Sequence, residues 1–188
     1  HEHKRTPTSL TLSDAASSGN MELVHWLIDE HKVKPNSQTL RAAASMGNIE
    51  LVRWLIDEYE IKPDSLTFRA AARGGNIEQV RWLIDEHELK PNSDTLSCAA
   101  SSGNIELVHW LIDEHKVKPD EDTLSKTVES GSIDIVRAVI KLGAKPNAYT
   151  LSFVTESRNI EVVRAVIEIG AKPSYDTLSW AARSGNIE

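Results

Sequence analysis

Apolar positions in this chain alternate between two helical patterns. In the clearest copy, Leu40, Ala43 and Ala44 stand at i, i+3 and i+4, a narrow stripe that predicts a helix over 37–46. Asn36, Ser37 and Thr39 offer capping oxygens at its start. Gly47 stands where a helix ends in a left-handed residue. Asn48 can then cap a second helix over 49–59, with Ile49, Val52 and Ile56 on one side. Leu51, Trp54 and Leu55 widen that face, which predicts deeper burial for the second helix than for the first.

The two patterns recur. The Thr-Leu/Phe pair that opens the first helix is found at Thr11, Thr39, Thr67, Thr95, Thr123, Thr150 and Thr177, at intervals of 28, 28, 28, 28, 27 and 27 residues. Prolines keep one register: Pro7, Pro35, Pro63, Pro91, Pro119, Pro146 and Pro173. Proline stops the preceding helix and holds the residue before it extended. A fixed period of this kind is the mark of a stacked repeat array. Isolated helices shorter than about 12–15 residues are marginal in water, so each copy must bury its face against its neighbours. Residues 1–188 are therefore expected to form a single array of six helix pairs and a seventh first helix, with no internal domain boundary. The array opens and closes inside a repeat without a polar cap, which points to a fragment of a longer chain.

Later copies depart from early ones. Trp26, Trp54, Trp82 and Trp110 give way to Ala138 and Ala165, and the paired alanines become Thr127-Val128 and Val154-Thr155. Bulk leaving the second helix is thus expected to return on the first, keeping a core filled. The linker loses one residue, and Arg158 takes the place of the turn glycine, at a cost on the order of 1 kcal/mol if that site is left-handed.

The net charge of −7 argues against nucleic acid as a partner. One cysteine, Cys98, and no Asn-x-Ser/Thr sequon fit a reducing, cytoplasmic setting. No apolar run reaches the roughly 20 residues of a membrane span. His31, His87 and His115, each after an Asp-Glu pair, are too far apart across repeats to share an ion, since packed helices lie about 8–10 Å apart. They read as the solvated end of the second helix. No phosphate loop, metal motif or nucleophile elbow is present, so neither catalysis, a cofactor nor a small-molecule substrate is expected. Lys34, Lys62, Lys90, Lys118, Lys145 and Lys172 form a ladder that either attracts an acidic partner or favours the negative helix end and faces water.

The stretches Ser130-Gly131-Ser132-Ile133-Asp134-Ile135-Val136-Arg137 and Ile140-Lys141-Leu142-Gly143-Ala144-Lys145-Pro146-Asn147-Ala148 resemble the second helix and following turn of an ankyrin repeat. Leu124, with Ala99-Ala100 and Gly103 of the neighbouring copy, is similar to the family's first helix. The resemblance implies an all-α, ankyrin-like solenoid of helix–turn–helix repeats whose first helices line a concave face. The family period is about 33 residues. At 27–28 here, the deficit falls in the linker, and the family's β-hairpin finger is expected to be absent or reduced to a turn.

Candidate binding positions lie opposite the first-helix stripe, at Gln38, Arg41, Ala42 and Ser45 and their equivalents. The Ala42 register runs Asp14, Ala42, Ala70, Cys98, Lys126, Phe153 and Trp180, changing while buried positions stay nearly constant. Two patches result: Arg41, Arg69 and Arg73, and an aromatic group of Tyr149, Phe153 and Trp180, with Lys126 between them in sequence. Arginine and aromatic side chains dominate interface hot spots. The reading is a module that binds another protein, one with an acidic segment and apolar anchors. Competing readings are drift on an unconstrained face, aromatics that fill space between repeats, a substrate-recruiting arm of a larger enzyme or ubiquitin-ligase adaptor, and a structural spacer.

Overall fold

The computed structural model describes residues 6–120, 122–146, 150–157 and 159–172, with the backbone alone for Ser152 and residues 155–157. They fold into twelve helices and, among the described residues, no strand. Six helix pairs follow one another: α1 (Ser9–Ser17) with α2 (Met21–Asp29), α3 (Ser37–Ser45) with α4 (Ile49–Tyr59), and α5 (Ser65–Gly74) with α6 (Ile77–His87). Then come α7 (Ser93–Ser101) with α8 (Ile105–Asp113), α9 (Thr123–Glu129) with α10 (Ile133–Lys141), and α11 (Thr150–Ser157) with α12 (Ile160–Glu168). They fall into two compact units, the first ending at Lys90 and the second beginning at Pro91. The expected seventh first helix lies outside the described residues.

Local chemistry explains the helix starts. Asn36 Oδ1 accepts from the Gln38 and Thr39 amides at 2.9 and 3.1 Å, while Thr39 Oγ1 accepts from the Asn36 amide at 3.3 Å. Three otherwise orphaned donors are satisfied, those of Asn36 and Thr39 reciprocally. Asn92 and Asp120 repeat the device, and Asp64 Oδ1 accepts from the Thr67 amide at 2.8 Å. Asn20, Asn48, Asn76 and Asn104 cap second helices by accepting from the amide three residues on.

In the first unit, α3 packs on both α1 and α5, and in the second, α9 packs on both α7 and α11. Leu40, Ala43 and Ala44 are fully buried, as are Leu51, Val52 and Leu55 of the paired helix. The small alanines let neighbouring first helices approach closely. One close approach is at Gly74, where a Cβ would stand 2.9 Å from the Ala44 and Ser45 carbonyl oxygens and the Gly47 nitrogen. Side chains also tie one repeat to the preceding turn. Asn76 Nδ2 donates to the Gly47 carbonyl at 2.8 Å, and Asn159 Nδ2 to the Gly131 carbonyl at 3.0 Å. Fully buried Gln79 donates to the Ala44 carbonyl at 3.1 Å.

Two expectations about the second helix are corrected. Its buried centre is Leu51, Val52 and Leu55, whereas Ile49, Trp54 and Ile56 are only half-buried and Trp26 is 50 % exposed. The tryptophans therefore cap the edge of the core instead of filling it. The exchange of volume in later repeats also runs differently. Leucines 27, 55, 83 and 111 correspond to Val139 and Val166, and these pack in one cluster with Val128 and Val154, which stand where earlier repeats have alanine. Volume passes between a core leucine and a core alanine, and tryptophan has no part in that exchange.

The linker takes two forms. In early repeats Lys32, Glu60, Glu88 and Lys116 adopt left-handed backbone with φ of 53–54°. Behind them the Val33 amide reaches the Leu27 carbonyl, and the Val117 amide the Leu111 carbonyl, each at 3.1 Å and six residues back. In the later form Gly143 takes the left-handed position at φ 89°, and the Ala144 amide reaches Val139, five residues back, at 3.1 Å. That is the hydrogen-bond pattern of a glycine-terminated helix, and it accounts for the missing residue. The Arg158 substitution lies outside the described residues.

Candidate functional site

Within each unit, a seam of hydroxyl groups lines the contacts between successive first helices. Thr39, Thr67, Thr95, Thr123 and Thr150 are buried at the first turn of each helix. From the preceding helix, Ser13 Oγ lies 3.4 Å from Thr39 Oγ1, Ser97 Oγ 3.1 Å from Thr123 Oγ1, and Ser125 Oγ 2.9 Å from Thr150 Oγ1. These serines share the register of Arg41. The register expected to point outward is therefore one of contact between repeats. The recurrence of Thr-Leu-Ser was the signal in the sequence, since a small hydroxyl held at one place suggests a partner of its own kind.

Arg41 obeys the same rule with a longer side chain. Its Nη2 donates to Asp64 Oδ2 at 2.5 Å, bridging α3 to the cap of α5. Partial burial works to raise the Asp64 pKa, but the Arg41 bond and those from the Thr67 amide and hydroxyl outweigh it and lower it to about 2. Asp120 is lowered in the same way: burial is opposed by bonds from Ser93 and Thr123.

The predicted site residues thus divide. Arg41 and Arg69 are half-buried, Arg41 in its ion pair and Arg69 likewise engaged. Arg73 is exposed in the last turn of α5, where a cation suits the negative helix end. Lys126 is half-buried in the last turn of α9. Phe153 packs, half-buried, against the core cluster of the second unit, and Cys98 of the same register is buried. Tyr149 and Trp180 lie outside the described residues. The lysine ladder is exposed at Lys34, Lys62, Lys90, Lys118, Lys145 and Lys172.

A second row went unrecognised in the sequence. Each tryptophan of a second helix meets an aromatic ring five residues on: Trp26–His31 at 4.2 Å, Trp54–Tyr59 at 5.2 Å, Trp82–His87 at 4.8 Å and Trp110–His115 at 4.4 Å between centroids, all edge to face. The histidines expected to be solvated also stack on indole: His31 is exposed, while His87 and His115 are half-buried. Tryptophan also meets the preceding repeat, as the His25 ring lies 4.2 Å from Trp54 and the Arg53 guanidinium 5.1 Å over Trp82. The sequence carried the signal as a pairing: wherever tryptophan becomes alanine, the aromatic five residues on becomes Gly143 or Gly170. Where the ring is lost, between α10 and α12, an open groove of about 410 Å³ lies over Ile140, Ala165 and Ile169.

Among the described residues no three histidine, cysteine or acidic side chains are grouped to hold a metal. No helix among them is long and apolar enough to cross a membrane.

The model of ankyrin repeats (3 copies) matches residues 12–92 and 67–150. No curated protein matches the sequence. Among solved structures, the chain is similar to the human ASB11 ankyrin repeat domain, with a TM-score of 0.55 and 18 % identity over 89 % of this chain and 85 % of that one. Stacked helix pairs, the family model across most of the length and the shared fold agree: this chain belongs to the ankyrin-repeat family.

Proposed function

We propose that this chain binds another protein on its row of first helices. Ankyrin repeats are generally protein–protein interaction modules, which sets the class of function. What supports the surface is the contrast within one helix. Among the described residues, Thr39, Leu40, Ala43 and Ala44 and their equivalents other than Thr11 are buried and nearly constant, while the Ala42 register changes from Asp14 to Lys126 to Phe153. Arg69 and Arg73 meet an acidic segment. Arg41, with 34 % of its side chain exposed, adds a cation already held by Asp64. Lys126, Tyr149, Phe153 and Trp180 supply a second patch with apolar anchors.

The test is affinity purification with the wild-type chain beside two variants, Arg69→Glu with Arg73→Glu, and the alanine triple at Tyr149, Phe153 and Trp180. Arg41 is left intact, because reversing it would break the seam and confuse folding with binding. A partner held by wild type and lost from either variant, at unchanged Tm, supports the surface. Undiminished binding to both overturns it.

We also propose that residues 1–188 act as a single array. The interval from Thr67 to Thr95, which spans Lys90 and Pro91, is the same 28 residues as its neighbours. One cooperative thermal transition is expected, and two separate transitions would refute the proposal.

A further inference from the structure

The groove between α10 and α12 stands at the register where earlier second helices carry tryptophan. Its floor is Ile140, Ala165 and Ile169, and Ala165 is the positional counterpart of Trp82. Arg137, on its wall, is the counterpart of Arg53, the residue whose guanidinium lies 5.1 Å over the Trp82 ring. The chain thus displays within itself what this register accommodates: an indole beneath an arginine. At Ala165 the ring is removed and the cation remains, and Ile169, where the Trp82 repeat has Glu86, makes the floor more apolar.

Its size and charge narrow the occupant further. A volume of about 410 Å³ falls in the range of ligand sites, about 300–1,000 Å³. Lys141 and Arg164 join Arg137 on the rim, against the carboxylates of Glu161 and Glu168, so the rim is net positive in a chain of net charge −7. A cation over an aromatic face is attracted by the negative face of the ring. A carboxylate beside the ring would complement the remaining cations.

We propose that this groove is a second protein-docking site, separate from the first-helix row, which takes a tryptophan side chain flanked by acidic residues from a partner protein. Arg137 stacks on the incoming ring as Arg53 stacks on Trp82. Ile140, Ala165 and Ile169 receive its faces and edge.

The probe is the peptide acetyl-Asp-Trp-Asp-amide, with acetyl-Asp-Ala-Asp-amide as control, titrated into the full ¹⁵N-labelled chain. Amide shifts at Ile140, Ala165 and Ile169 that saturate with the tryptophan peptide and are absent with the control support the proposal. Ala165→Trp, which rebuilds the earlier register, is expected to abolish the shifts. Arg137→Gln, an exposed change that leaves the floor intact, is expected to weaken the affinity severalfold. Arg73→Glu, on the first-helix row, is expected to leave it unchanged, so a failure here is distinct from a failure of that surface. No saturable shift with the tryptophan peptide, or equal binding to Ala165→Trp, overturns the proposal. Loss of the shifts only on dilution, with sedimentation showing a dimer, overturns it in favour of a second copy as occupant.

Discussion

The repeat of α3 and α4 and the repeat of α9 and α10 have the same plan and finish it differently. The earlier one covers its second helix with an aromatic pair, Trp54 on Tyr59, and turns its linker through Glu60 in left-handed backbone. The later one has Ala138 and Gly143 at the matching places and closes the helix with a five-residue backbone bond. The two changes are coupled. In the earlier repeat the ring five residues after tryptophan closes the helix, and the residue after it, Glu60, carries a Cβ where glycine would be at ease. Without the ring the shorter glycine turn suffices, and the second-helix surface is left open. Surface cover and backbone ease are thus alternatives in this array.

The largest test probes the part of the core where the two forms differ by one carbon. Leu83→Ala is expected to cost about 2–5 kcal/mol and Val139→Ala about 1 kcal/mol less, measured by urea unfolding. Equal losses would show that the later core is no looser. Next, Trp54→Ala removes two ring contacts, to His25 and Tyr59, each of about 0.5–1.5 kcal/mol, together with half-buried area. A loss below about 0.5 kcal/mol would class the indole with ordinary surface residues. Glu60→Gly is expected to raise stability by up to about 1 kcal/mol by relieving the left-handed residue, and Gly143→Lys to lower it by a similar amount. A fall in Tm for Glu60→Gly would mean that the longer linker is held by something other than tolerance.

The smallest effect is electrostatic. The folded Asp64 pKa of about 2 lies below its ordinary 3.8. Its contribution is therefore present above pH 4 or so and fades as pH falls toward about 2. In Arg41→Met the carboxyl, followed by NMR titration, should move upward, because burial is then opposed only by the Thr67 amide and hydroxyl. An unchanged titration would remove the ion pair from the seam.

Much of the fold was legible because its causes are local. Asn36, Thr39 and Gly47 announce the ends of a helix through atoms within four residues of each other, and Leu40, Ala43 and Ala44 mark its buried side by spacing alone. The candidate site was less legible. Arg41 looks outward on a helical wheel, but the wheel of one helix omits the cap of the next, where Asp64 waits. The spacing of Trp54 places it on the apolar face of its helix. Its ring instead lies along the border, because Leu51, Val52 and Leu55 already occupy the space beneath.

By itself, the sequence determined the period, the helix pairs, the turns and membership in the ankyrin-repeat family, since each rests on hydrogen bonds and apolar spacing inside one copy. Only the tertiary structure decided which exposed-looking residues are spent on neighbours: the serine–threonine seam, the Arg41–Asp64 bridge and the rings stacked on Trp54 and Trp82. Those contacts join residues about one period apart. Their energy depends on how closely one copy settles on the next, and no single copy contains that distance.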